Sequence, residues 1–114
     1  MGEKELLKSV ISRNNEYSKE QLEFRPYCLK RMEQRNIQKE AVIELLSINK
    51  GLTSVEIQEK SYQGAVEQRY KLIYQLSGRY KMIIIISYCE RVLKVINVIK
   101  TSKDWEKLWR KRVF

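Results

Sequence analysis

Residues 82–86 read Met-Ile-Ile-Ile-Ile, and a strand apolar on both faces belongs in the middle of a sheet covered on both sides. That run constrains everything around it. Residues 79–89 form the expected central strand, and Ser77-Gly78 before it has the composition of a hairpin turn. On the N-terminal side of that turn, residues 67–76 place Tyr70, Leu72, Tyr74 and Leu76 on one face and Arg69, Lys71, Ile73 and Gln75 on the other. Further back, Thr53, Val55 and Ile57 alternate with Ser54, Glu56 and Gln58, the pattern of a half-exposed strand. Beyond the central strand, Glu90-Arg91 turns the chain into a last strand that runs to about Lys100. Four strands in sequence, joined by short turns, predict an antiparallel meander.

The first fifty residues carry a different period. Leu6, Leu7, Val10 and Ile11 line one face of a helix over about 3–13, and Asn14-Asn15 is a plausible stop. Ser18-Lys19-Glu20-Gln21 has the form of a capping box that opens a new helix. Pro26 suits a first helical turn, so the main second helix runs from Pro26 to Gln34 with Cys28, Leu29 and Met32 inward. Lys30, Arg31, Glu33 and Arg35 then face solvent or a partner. A third helix, about Gln38 to Ser47, buries Val42, Leu45 and Leu46 and ends at Asn49-Lys50-Gly51. A final amphipathic helix, Ser102 to Arg112, turns Trp105, Leu108 and Trp109 inward. The expected fold is one α+β domain: N-terminal helices, an antiparallel sheet of about four strands, and a short C-terminal helix.

With 114 residues the chain supports one modest core. No apolar run is long enough to span a bilayer, and the opening MGEKELLKSV lacks the apolar core of a secretory signal. Leu6 stands where an N-myristoylation motif wants Ser or Thr. Cys28 and Cys89 are far apart, lack metal-ligand spacing and sit in apolar patterns, as expected of reduced core thiols. A soluble cytoplasmic protein without cofactor or metal is expected. Twenty-three Lys and Arg against 14 Asp and Glu give +9, which favours an anionic partner: nucleic acid, or an acidic protein. There is no histidine in the chain. The commonest general acid–base group is therefore missing, and proton transfer would fall to Tyr, Lys and carboxylates.

Taken in order, RPYCLKRMEQRNIQKEAVIELL, YKLIYQLSGRYKMIIIISY and VLKVINVIK resemble small domains allied to BrnT within the RelE/ParE-like toxin superfamily. Arg31-Met32, Arg35 and Ile37 match the family's Arg-Met-x-x-Arg-x-Ile helix, and Val95-Ile96-Asn97-Val98 is similar to its last strand, with Asn97 for Thr. The match covers about 24–102 and leaves the first 20 residues as an extension. Where those domains carry His-Ala, this chain has Tyr27-Cys28. The resemblance implies a RelE-like fold, binding to RNA or the ribosome, metal-independent cleavage of RNA, and an acidic antitoxin-like partner. In that scheme Arg31 and Arg35 would offset charge on the phosphate, and Tyr27 would take the histidine's place.

Other cations form a second group. Arg69 and Lys71 share a strand face, near Arg79 and Tyr80 if the hairpin pairs directly, and Lys81 follows. Lys107, Arg110, Lys111 and Arg112 make the C-terminus strongly basic. These residues suit nucleic-acid contact through phosphates, with interleaved tyrosines as stacking partners. They equally suit a solvated face, edge-strand protection and a helix terminus complementing its dipole. Two alternatives to a ribonuclease stand beside it: a non-catalytic nucleic-acid-binding module, and a protein–protein interaction domain that docks an acidic partner.

Overall fold

The computed structural model describes residues 2–102. The predicted C-terminal helix lies outside the described residues, with Lys107, Arg110, Lys111 and Arg112 on it. Three α-helices precede the antiparallel meander: α1 Glu3–Asn14, α2 Pro26–Gln34 and α3 Lys39–Ile48. The strands are β1 Leu22–Phe24, β2 Leu52–Tyr62, β3 Ala65–Gln75, β4 Tyr80–Tyr88 and β5 Leu93–Ser102. They make one five-stranded sheet in the order β1-β5-β4-β3-β2. The β2–β5 meander is antiparallel as expected, but β1 adds a fifth strand parallel to β5, so the sheet is mixed.

The capping box is real but short-lived. Gln21 Oε1 accepts from the Ser18 amide at 2.9 Å, yet the turn it opens is a single 3-10 turn over Lys19–Gln21. The next three residues pair with Leu93, Lys94 and Val95 instead of continuing as helix. Pro26 then starts α2 at its first position, where the missing amide costs nothing.

One face of the sheet carries Leu72 and Tyr74 from β3, Met82, Ile84 and Ile86 from β4, and Val95 and Val98 from β5. Val10, Cys28, Met32, Val42 and Leu46 from the helices close over it. Each such side chain contributes about 1.5–3 kcal/mol when fully buried. α1 belongs to this core, since both Val10 and Asn14 are buried. Ile83 and Ile85 on the opposite face of β4 are half-buried, and β4 is central in the sheet order. In β5 the register shifts opposite Ile85 and Ile86, making Ile96 an additional residue.

Three inward expectations are corrected. Leu29 is 40% exposed, because Cys28 and Met32, one turn apart, already define the buried side of α2. Leu76 is also 40% exposed, because β3 ends at Gln75. Cys89 is only half-buried, at the turn leaving β4, whereas Cys28 is fully enclosed and burial pushes its thiol up to about 11.

A buried polar seam ties helices to sheet. Asn49 adopts the left-handed conformation (φ 57°) at the end of α3. Its Oδ1 accepts from Asn14 Nδ2 at 2.9 Å and from the Tyr74 hydroxyl at 3.0 Å, and its Nδ2 donates to the Leu46 carbonyl. Tyr88 donates to Asn14 Oδ1 at 2.6 Å. Two residues on, Gly51 (φ 85°) lies so close to β3 that a Cβ would meet the Gln75 carbonyl oxygen at 2.6 Å. Only glycine fits there.

Candidate nucleic-acid interface

α2 presents Tyr27 and Arg31 one turn apart on its outer side. Tyr27 is 60% exposed, Arg31 Nε donates to its hydroxyl at 2.8 Å, and the guanidinium carbon lies 5.2 Å from the ring centroid. The couple is a flat ring edged by a planar cation, a shape that suits a base and its phosphate.

Arg35 is held elsewhere. It is the residue after α2, and its Nη1 donates to Asn97 Oδ1 at 3.1 Å and to the Val98 carbonyl at 2.8 Å. The reason lies in the sheet. β1 covers the edge of β5 only as far as Val95, whose carbonyl accepts from the Arg25 amide. Past that point no strand among the described residues lies beside β5, and Arg35 caps its edge. Tyr27 and Arg31 therefore meet, while Arg35 serves the sheet.

Arg69, on β3, belongs to a half-buried ion cluster. Its Nε is 2.7 Å from Glu67 Oε1, and Arg25 reaches the other oxygen of the same carboxylate. Burial alone would raise the pKa of Glu67, but hydrogen bonds from Arg69 and Arg25, reinforced by their charges, hold it below the usual carboxylate value. Lys71 faces Glu56 on β2, with Nζ 3.5 Å from Oε2. Neither residue is near the hairpin turn, which corrects the expected grouping. The turn end of β3 is set by Gln75 opposite Lys81, and Arg69 is six residues further along, about 20 Å away by strand rise.

At the turn itself Arg79 and Tyr80 are exposed and Lys81 half-exposed. Lys100 Nζ sits 5.1 Å from the Tyr80 ring centroid. Sequence patterning found Tyr80 but not Lys100, twenty residues away; the Lys81–Thr101 register brings them together. A second aromatic group, Tyr17, Tyr70 and Tyr88 with Arg13 4.1 Å from the Tyr88 centroid, is internal packing. Burial raises the pKa of Tyr17, Tyr74 and Tyr88 despite the nearby charge of Arg13 at Tyr17 and Tyr88, so these phenols stay protonated. Tyr70 is half-buried against Tyr88, consistent with a core residue.

Among the described residues no three His, Cys, Asp or Glu side chains converge as metal ligands, and no helix is long and apolar enough to cross a membrane. Comparison with protein-family models, with curated proteins and with solved structures finds no match.

Proposed function

We propose that this chain binds single-stranded RNA through the outer side of α2 and the β3–β4 turn, as a toxin-type domain of the RelE/BrnT kind. The observation that carries the reading is the Tyr27–Arg31 couple, an exposed ring and a half-exposed guanidinium that serve as stacking surface and phosphate donor already held together. Arg79 and Lys81 supply further phosphate contacts, and the net charge of +9 draws the polyanion in. Resemblance in Arg31-Met32, Arg35 and Ile37 supports RNA as the ligand. The geometry favours binding over cleavage, because Arg35, one of three groups cleavage would draw on, is engaged with Asn97 and Val98.

Fluorescence anisotropy with labelled oligouridine over a salt series tests this. Tyr27→Ala and Arg31→Ala are expected to weaken binding by about 1–3 kcal/mol each without changing the melting temperature. Arg79→Ala with Lys81→Ala lowers the slope of log K against log salt by about 1.4. Arg35→Ala leaves affinity nearly unchanged but costs about 1 kcal/mol of stability. Salt-independent binding, or binding indifferent to Tyr27 and Arg31, overturns the proposal; cleavage of the probe lost in Arg35→Ala would make the site a nuclease.

A further inference from the structure

α3 is apolar on more of its circumference than the core uses. Val42 and Leu46 are buried beneath it, as the sheet requires. Ala41, Leu45 and Ile48 form a second stripe at i, i+4 and i+7; Leu45 is half-buried at the margin of the core, and Ala41 and Ile48 are exposed. Ile48 is 60% exposed, although nothing in the geometry of a helix end calls for isoleucine there. A helix needing only one buried face would carry polar residues along the second.

Facing this stripe is the turn end of the sheet. Leu76, just past β3, and Met82, near the start of β4, form the opposite wall of a cleft of about 640 Å³. Lys50 and Lys100, both exposed, stand at the rim; Glu44 is the one carboxylate among the lining residues.

An open apolar trough between a helix and a sheet end is the form that accepts an amphipathic helix. The charge decides which kind. With two lysines at the rim and +9 overall, a basic helix is repelled and an acidic one attracted. A second copy of this chain is disfavoured for the same reason, since a two-fold contact through this cleft would set Lys50 and Lys100 against their own equivalents. We propose that the cleft between α3 and the β3–β4 turn docks an amphipathic helix with acidic flanks, belonging to a partner protein. Its apolar side chains lie between Ile48 and Leu76, and its carboxylates meet Lys50 and Lys100. This docking does not rest on the RNA reading, which uses Tyr27 and Arg31 on α2 and Arg79 and Lys81 at the β3–β4 turn, none of which lines the cleft.

The test uses the full chain and two synthetic helical peptides of about 18 residues, about five turns each. Both carry Leu at i, i+3, i+4 and i+7; one has Glu at the remaining positions and the other Lys. Anisotropy is expected to show the Glu peptide binding at least about tenfold more tightly than the Lys peptide. Ile48→Ser and Leu76→Ser each weaken it by about tenfold, and Leu29→Ser, an equally exposed leucine on α2, does not. Joint Lys50→Glu and Lys100→Glu substitution reverses the preference. In wild type, amide shifts caused by the Glu peptide should map to α3 and Leu76, which keeps the test valid if a serine variant fails to fold. Equal binding of both peptides, no binding of the Glu peptide, or shifts lying elsewhere overturns the proposal. So does a wild-type dimer that Ile48→Ser dissolves, which would assign the cleft to a second copy. Oligouridine binding should persist in Ile48→Ser, so failure here and failure of the RNA reading are separable.

Discussion

The two ends of the sheet are built on opposite principles. At the end where β4 meets β5, polar groups have been drawn inward and matched: Glu67 between Arg25 and Arg69, Tyr17 on the Cys89 carbonyl, Tyr88 on Asn14. At the end where β3 turns into β4, Arg79, Tyr80, Leu76 and Ile48 are left outward. The first arrangement holds α1 and β1 on the sheet and gives up surface to do so. The second adds little to stability and keeps charged and apolar groups at the surface, where both proposed contacts would draw on them. On those proposals stability and recognition fall to different residues, which makes them separable by substitution.

The largest effect is expected at the seam that links both ends. Asn49→Ala removes three hydrogen bonds, strands the Tyr74 hydroxyl and Asn14 amide, and places alanine at a left-handed position; the urea midpoint should report a loss of about 3 kcal/mol. Asn49→Gly recovers about 1 kcal/mol of that, the backbone share.

A smaller loss, about 1–2 kcal/mol near neutral pH, is expected for Glu67→Gln. Its pH dependence sharpens the contrast. The folded pKa of Glu67 is depressed, so its contribution is complete above the unfolded value, about 4.3, and disappears as pH falls through the lower folded value. Wild type and variant should therefore converge in stability in acid, as thermal melts from pH 7 downward would show. The least effect is predicted at the open end, where Ile48→Ser changes stability by no more than about 0.5 kcal/mol while weakening binding of the acidic peptide about tenfold. A loss of several times that would show that the cleft wall is part of the core.

The meander was legible because its signals are local. Period-two alternation, Ser77-Gly78 and the doubly apolar β4 need nothing beyond their neighbours, and Pro26 marked the start of α2. β1 was not legible. Three residues, Leu-Glu-Phe, carry no period, and what makes them a strand is β5, about seventy residues later. A good capping box just before them pointed to helix, and tertiary pairing overrode it. The same limit applies to the site. Tyr27 and Arg31 lie four apart on one helix, so their meeting could be expected, whereas the diversion of Arg35 depends on where β1 stops. Arg69 and Lys71 were assigned to the right strand and the wrong end, because shared face is a matter of parity but proximity to a turn depends on register.

The parallel pairing of β1 with β5 also has a consequence in time. Leu22 meets Leu93, so this junction carries the greatest loop-closure cost in the sheet. The hairpins β2–β3, β3–β4 and β4–β5 close over much shorter loops and can form first, leaving an edge of β5 to which β1 docks afterwards. On a ribosome, β1 is made early but has no strand to join until β5 has emerged. β1 thus joins the sheet only after the other four strands have been synthesised.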